Sequence, residues 1–445
     1  MSKTKGFILI VGDIVFLYGA LALTMLIRYG QASFADSLNA HIAPFSLVFV
    51  AWLAVFYLFD LYRGKNLRVT PSSSQAYIFG IFASVLISII LFYLFPGLFK
   101  LTPKTNLAVF TLIFGALDFG LRSLLGKLFI AGGWRNQILL IGESPAFEKI
   151  SEYLRENPQI GHAIIGQIKK TDGVSAKELE KEIIEHSQKL KPNTLIIQSN
   201  LKNNPETAKA IYKFISSDIS VIDLVSFYET LFEKIPLDEL EESWFIEKII
   251  ARRKIYDTLK RAVDLILGII LFAALSPFMV LFAVLIKITS RGPALFAQKR
   301  TGKNGKSFTL YKFRTMKNGN SGPLWTTDND KRITLIGKFL RRTHLDEIPQ
   351  LYNIIKNDIS FIGPRAERIE LAEYYSELPR YEIRHIIKPG LTGWAQLNYK
   401  PSASLEEAKE KLEYDVYYIK NRSLVLDFLI LLKTVRHLFV SNGKS

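Results

Sequence analysis

The sequence predicts a membrane protein of α plus α/β class: a four-helix transmembrane bundle, an α/β domain, and a C-terminal mixed domain entered through a re-entrant membrane helix. Three observations carry this. Four long apolar runs fill the N-terminal block, strand-like apolar segments alternate with charged helical ones from Gln137, and a fifth apolar run has Ser276-Pro277 at its middle. The corresponding boundaries are 1–133, 134–250 and 251–445, with the fifth run at about 264–286.

Composition agrees. A mean hydropathy of +0.17 with 49% hydrophobic residues exceeds what a soluble domain needs. A net charge of +16 calls for an anionic partner: nucleic acid, acidic lipid headgroups or phosphorylated molecules. The membrane signal favours the latter two, and the interleaved aromatic and basic platform of a nucleic-acid binder is missing. With no cysteine, disulfides, thiolate nucleophiles and cysteine metal sites are excluded.

The four runs, about Phe7–Ile27, Ala43–Leu61, Ala76–Phe99 and Leu107–Ile130, are each near the roughly 20 residues that span a bilayer. Lys3 and Lys5 precede the first, Arg63, Lys65 and Arg68 join the second to the third, and Lys127 and Arg135 close the fourth. The excess of positive charge on that side puts both ends of the block in the cytoplasm, against a smaller outer set of Arg28, Lys100 and Lys104. Asp13, Asp60 and Asp118 fall in or near the runs, where interfacial or interhelical placement is expected. The basic N-terminus before an uncleaved apolar run reads as a retained anchor.

In the middle block, Ile138–Ile141, Ala163–Ile168, Thr194–Ile197 and Ser220–Leu224 read as strands of a parallel sheet, which makes the domain Rossmann-like. Gly142-Glu143-Ser144-Pro145-Ala146 stands where a dinucleotide loop would be, but lacks the glycines that admit a pyrophosphate. A cofactor-free regulatory or assembly domain is expected. Phe227 to Phe245 makes an aromatic and acidic connection onward.

The fifth run is flanked by cations on both sides: Lys254, Lys260 and Arg261 before it, Lys287, Arg291, Lys299 and Arg300 after it. A single crossing would send one cluster outside, against the charge rule. A helix–break–helix hinged at Pro277, returning to the same face, satisfies both observations; a kinked crossing is the alternative.

Beyond it lie several basic motifs. Tyr311 to Met316 reads as a strand with Lys312 and Arg314 on one face, two residues apart, a spacing at which two cations meet one diphosphate. Gly363-Pro364-Arg365-Ala366 is a rigid turn presenting Arg365, and Lys388-Pro389-Gly390 to Gln396 is a second loop. Between them Arg341-Arg342-Thr343-His344-Leu345-Asp346-Glu347-Ile348-Pro349 sets adjacent carboxylates after two guanidinium groups. Pro349 belongs in a helix's first turn, which places Asp346 and Glu347 at a helix start and points to chemistry on phosphate, with a solvated N-terminal turn as the bland alternative. Asp328-Asn329-Asp330 has the spacing of a glycosyltransferase metal pair but sits in a polar loop, Asn318 to Lys331.

From Lys260 onward the chain resembles the bacterial sugar transferase family, the monotopic polyprenyl-phosphate phosphoglycosyl transferases. Lys260-Arg261-Ala262-Val263-Asp264, Ser276-Pro277, Tyr311 to Met316, Leu345 to Pro349 and Pro389 to Gln396 carry the likeness. With four helices and a Rossmann-like domain in front, it looks like the large WbaP-like members that initiate O-antigen, capsule or exopolysaccharide synthesis. The resemblance implies a bacterial inner (cytoplasmic) membrane enzyme, its catalytic domain on the cytoplasmic face. Such an enzyme moves a sugar 1-phosphate from a UDP-sugar, a UDP-hexose by likeness to the large members, to undecaprenyl phosphate and releases UMP.

By the same resemblance, Asp346 is the nucleophile, Glu347 assists through metal or proton handling, and Mg2+ is the cofactor, held by Asp346 and Glu347. Lys312, Arg314, Arg341 and Arg300 supply positive charge, Arg365 lies on the turn associated with uridine, and Asp415 is an acidic position near phosphate and metal. Lys260 and Arg261 meet lipid headgroups or simply obey the positive-inside rule, Ser276 and Pro277 shape the hairpin, and a homodimer is implied. The chain departs from the family's usual Pro-Arg-Pro at Ala366, which leaves the base preference open. Competing readings are a non-catalytic membrane scaffold for polysaccharide assembly and a metal-dependent glycosyltransferase using Asp328 and Asp330.

Overall fold

The computed structural model describes residues 2–62, 71–97, 104–131, 135–169, 176–198, 201, 219–249, 253–316, 332–399 and 404–440. Arg63, Lys65, Arg68, Lys100 and the Asp328-Asn329-Asp330 motif lie outside them. The chain divides into two compact units, Met1–Phe227 and Tyr228–Ser445.

The first unit opens with four long helices, α1 (Ser2–Tyr29), α2 (Phe34–Leu58), α3 (Pro71–Leu94) and α4 (Lys104–Ala131), all long and apolar enough to cross a membrane. This is a membrane protein. Their shared core is aromatic: Phe49 stacks on Phe110 at 5.5 Å and Phe110 on Phe114 at 5.9 Å, while Trp52 donates to Ser88 Oγ at 2.8 Å. Asp13 on α1 and Asp118 on α4 are fully buried and both pair with Arg122, at 2.6 and 2.8 Å. Charges in an apolar bundle persist only when paired: Asp13–Arg122 ties α1 to α4, and Asp118–Arg122 is an i,i+4 pair within α4.

The α/β part follows with β1 (Asn136–Ile141), α5 (Pro145–Glu156), β2 (His162–Ile168), α6 (Ala176–Leu190), β3 (Thr194–Ile197) and β4 (Ser220–Asp223). The sheet is wholly parallel, in the order β2-β1-β3-β4, as the alternating pattern predicts. Ile138 to Ile141 are fully buried because a central parallel strand is covered on both faces. Gly142 takes φ +121°, and a side chain there would come within 2.6 Å of Gln198 Oε1. That same oxygen accepts the Glu143 amide, and Ser144 Oγ accepts the amide of Ala146. Two of the amides that a phosphate would use are therefore engaged within the protein.

The second unit begins with the connecting segment, which extends from Tyr228 and includes most of α7 (Leu224–Phe232) and α8 (Glu242–Lys248). Then come α9 (Lys254–Thr289), the antiparallel hairpin β5 (Leu295–Thr301) and β6 (Ser307–Phe313), α10 (Leu335–Arg342) and α11 (Gln350–Lys356). The remainder is β7 (Ser360–Ile362), α12 (Ile369–Tyr375), β8 (Gly390–Thr392), α13 (Trp394–Asn398), α14 (Leu405–Asn421) and α15 (Leu424–Val440), with β7 and β8 paired in parallel.

The expected interruption at Ser276-Pro277 is corrected: α9 is one continuous helix of 36 residues with Pro277 inside it. Proline has no amide for the carbonyl four residues back, that of Ala273. Ser276 Oγ donates to that carbonyl at 2.8 Å and fills the gap. One face of α9 is covered along its length: Phe272 and Leu275 join one core with Ile354 and Ile362, and Met279, Phe282 and Ile286 join another with Phe313 and Leu340. Its other face, with Ile266, Ile270, Val280 and Val284 exposed, is apolar.

Candidate active site

The site is built around a turn. After α10, His344 adopts left-handed φ +54°, reverses the chain, and leads into a 3-10 turn over Leu345–Glu347. The carboxylate pair was expected at a helix start; it lies one turn earlier, with Pro349 capping α11. The amides of Glu347 and Ile348 bond the carbonyls of His344 and Leu345, at 3.2 and 3.3 Å, so they are not offered to a ligand. Pro349, without an amide hydrogen, ends this run of bonds and stands at the start of α11.

The two carboxylates live differently. Glu347 forms an ion pair with Lys312 on β6 and lies 3.7 Å from the Arg365 guanidinium. Burial pushes its carboxyl up, but Lys312 and then Arg365 outweigh burial and hold it below the usual range. Asp346 accepts no side-chain hydrogen bond among the described residues. Burial, reinforced by the neighbouring Glu347 charge, raises it despite Lys312, His344 and Arg341. One acid is clamped and ionised; its neighbour is free and more basic than an ordinary aspartate.

Beside Glu347 a small, open cleft is lined by Arg300, Lys312, Glu347, Gln350, Arg365 and Gly390. The hairpin register puts Arg300 opposite Phe308 and Lys312 opposite Phe296, so both cations share one face. Arg300 donates to the Ala366 carbonyl at 3.1 Å and to Gln298 Oε1 at 2.8 Å, while its Nε is buried without a partner. Burial, with Arg365 and Arg368 nearby, pulls it down to about 10. Such an arrangement favours an arriving anion.

Arg365 sits on a loop held at every carbonyl. Pro364 O accepts from Gly390 N at 2.8 Å, Arg365 O from Arg384 at 3.1 Å, Ala366 O from Arg300, and Glu367 O from Thr301 N at 3.0 Å. The backbones of Gly363 and Gly390 touch so closely that a side chain on Gly390 would lie 2.0 Å from the Gly363 nitrogen. Only glycine allows this approach.

Other expected site residues land elsewhere. Arg314 is buried past the end of β6, and its guanidinium caps α9 by bonding Ser290 O, Ser290 Oγ and Arg291 O at 2.7–3.0 Å. It does not stand beside Lys312 because the strand ends at Phe313. Arg341 bonds Thr315 Oγ1 at 2.8 Å and still acts on Asp346 through its charge. Asp415 is buried at 3.0 Å from Arg384, in a network with Glu367 and Lys411. Lys260 and Arg261, expected at headgroups, instead bond inside the domain. Lys260 meets Asp427 at 2.7 Å, and Arg261 caps α11 through the carbonyls of Ile354 and Ile355. Ser276 and Pro277 act together on the α9 backbone.

Asn353 and Arg384 were not anticipated. Asn353 is fully buried; its amide accepts Tyr311 N at 3.1 Å and donates to Thr309 O at 2.7 Å, which fixes α11 against the strand that carries Lys312. An asparagine among Leu351, Ile354 and Ile355 was the signal. Among the described residues no three metal-type side chains cluster. Asp346 and Glu347 nevertheless fit magnesium, which takes one or two carboxylates and completes its shell with water and substrate phosphates.

The family described as bacterial sugar transferase matches residues 255–441. The chain is 39% identical over 228 residues to a UDP-N-acetylgalactosamine-undecaprenyl-phosphate N-acetylgalactosaminephosphotransferase of Aeromonas hydrophila, covering 51% of this chain and 53% of that protein. It thus spans about half the length of that relative. It is 30% identical over 367 residues to a UDP-glucose:undecaprenyl-phosphate glucose-1-phosphate transferase of Escherichia coli K12, covering 76% of this chain and 77% of the relative. A third relative, the exopolysaccharide production protein PSS of Rhizobium leguminosarum, is 42% identical over 186 residues, 40% of this chain and 93% of its own. With its C-terminal unit matched by the family and two such relatives covered over most of their length, this chain belongs to the bacterial sugar transferase family.

Proposed function

We propose that this protein is an undecaprenyl-phosphate sugar phosphotransferase, which moves a sugar 1-phosphate from a UDP-hexose to undecaprenyl phosphate and releases UMP. One observation carries the reading: Asp346, whose carboxylate has no hydrogen-bonding partner among the described residues, adjoins Glu347, which Lys312 and Arg365 clamp at a cleft walled by cations. The activities named for the two nucleotide-sugar relatives support the substrates.

In the first step an Asp346 oxygen attacks the sugar-bearing phosphorus, the bond to the bridging oxygen breaks, and UMP departs with that electron pair. The product on the enzyme is an aspartyl phosphosugar. In the second, an oxygen of the lipid phosphate attacks the same phosphorus, the Asp346–phosphorus bond breaks, and the carboxylate is restored as the lipid diphosphate sugar forms. Lys312, Arg365 and Arg300 offset the repulsion between carboxylate and diphosphate. Asp346, more basic than usual, is the better nucleophile once ionised. Magnesium, when held by Asp346 and Glu347, supplies further neutralisation of phosphate charge.

The long helix α9 suits a re-entrant, cytoplasmic-face arrangement in the inner membrane. Arg261, Phe272 and Leu275 before Pro277, and Met279, Phe282 and Ile286 after it, all pack on the C-terminal unit, which supports placing both halves on one side. The product would begin exopolysaccharide, capsule or O-antigen assembly.

The test is product analysis. Purified protein with magnesium, undecaprenyl phosphate and a panel of UDP-sugars should give lipid-dependent UMP. Release of UDP instead would favour direct glycosyl transfer, and no release with any donor would favour a scaffold.

A further inference from the structure

We propose that Arg384 is a positioning residue for the reaction: anchored by Asp415, it fixes the backbone of Arg365 and so keeps the Arg365 guanidinium beside Glu347 at the cleft. The inference rests on the transfer proposed above. Arg384 itself is away from reacting atoms. Its side chain is 3% exposed, and its bonds all run inward, to Tyr381 Oη at 2.8 Å, Asp415 at 3.0 Å, Glu367 at 3.5 Å and the Arg365 carbonyl at 3.1 Å.

The need for such a residue follows from the loop. The Arg365 side chain is 41% exposed, and its contact with Glu347 is long, so its own packing does not aim it. Pro364 fixes one φ angle, but Arg365 and Ala366 have no ring to fix theirs. Hydrogen bonds to the backbone must do so, and of the four carbonyls held here, that of Arg365 is held by Arg384, a buried guanidinium from the 3-10 turn Tyr381–His385 that is itself paired with Asp415 on α14. A buried guanidinium without a carboxylate would be strongly disfavoured, which gives Asp415 its part. The cluster of Asp415, Arg384, Glu367 and Lys411 is thus the back wall of the loop, and Asp415 acts on substrate only through Arg384.

The test is a coupling measurement on the full chain in detergent. Arg384→Met combined with Asp415→Asn removes both charges together and leaves Lys411 to pair Glu367. The expected result is a rise of about tenfold in KM for the UDP-sugar and in Kd for UDP, with KM for undecaprenyl phosphate unchanged. Adding Arg365→Ala should cause no further loss, because the two changes disable one element. Arg384→Gln with Asp415→Asn, whose amide can still donate to the Arg365 carbonyl, should recover part of the affinity. Multiplicative losses with Arg365→Ala, or a fall in kcat alone with both KM values intact, would overturn the proposal. Should the double variant melt before assay, Asp415→Asn alone is read the same way. The two readings fail separately: wild type without lipid-dependent UMP sinks the transfer, whereas uncoupled UDP affinities sink the positioning role.

Discussion

Lys312 forms an ion pair with Glu347 while Asp346, the residue before it in the turn, has no hydrogen-bonding partner for its carboxylate among the described residues. The same cation therefore fixes one acid and leaves its neighbour available. This asymmetry lets two adjacent carboxylates take different tasks, since their environments push their proton affinities apart.

Asp346→Asn should abolish transfer, a loss of at least about 10³-fold, because an amide cannot form the acyl phosphate. It should not weaken the fold. A raised folded-state pKa means that the ionised carboxylate costs stability as pH rises above the ordinary aspartate range. The melting temperature at neutral pH should then match or exceed that of wild type, read alongside UMP release. Clear residual turnover in a revertant-free preparation would remove the nucleophile assignment.

The pH profile offers a second check. Transfer requires ionised Asp346, so kcat should fall as pH drops through a value above the usual aspartate pKa of about 3.9. Glu347→Gln removes a like charge and frees the cation on Lys312, and both changes lower the Asp346 pKa. The acid limb should therefore move to lower pH even as the plateau rate falls. A limb that stayed in place would mean that another group titrates.

Glu367 makes the back wall sensitive to acid. Burial raises its pKa, but Lys411 and Arg384 dominate and hold it at about 2, against 4.5 for the free acid. Because the folded value is depressed, the stabilisation is complete above about pH 4.5 and is lost as pH falls toward 2, on the order of 3 kcal/mol at most. Glu367→Gln should lower the melting temperature at neutral pH and flatten its dependence across that window. A variant that kept the wild-type slope would show that another carboxylate carries it.

Gly390→Ala tests the crossing beneath Arg365. The added methyl would overlap the Gly363 backbone at 2.0 Å, and neither strand can yield without breaking the Gly390 to Pro364 bond. A loss of about 3 kcal/mol is expected, seen as a lower melting temperature and weaker UDP binding. Unchanged values for both would show that the loop is softer than its bonds imply.

Much of this was legible in the chain. Long apolar runs and alternating apolar strands are local signals, set by bilayer thickness and by the pleat of a buried sheet, so four helices and a parallel sheet could be read directly. The dyad stood out because two acids follow two arginines just before a proline, and the family resemblance set it above an ordinary N-terminal turn. Local patterns were less reliable for cations. Arg314, Lys260 and Arg261 look like ligand-binding residues in sequence, but their donors are spent on carbonyls and on Asp427, partners supplied by distant segments.

The sequence by itself determined the four apolar helices, the parallel α/β layer and the adjacent carboxylates proposed as the reactive pair, because each depends on residues close together in the chain. Tertiary structure decided which charges remain available. It closed α9 over Pro277 with Ser276, drew Asp415 away behind Arg384, and brought Lys312 to Glu347 rather than Asp346. The physical reason is that a buried charge or orphaned carbonyl must find a partner wherever the fold supplies one, and that supply is non-local.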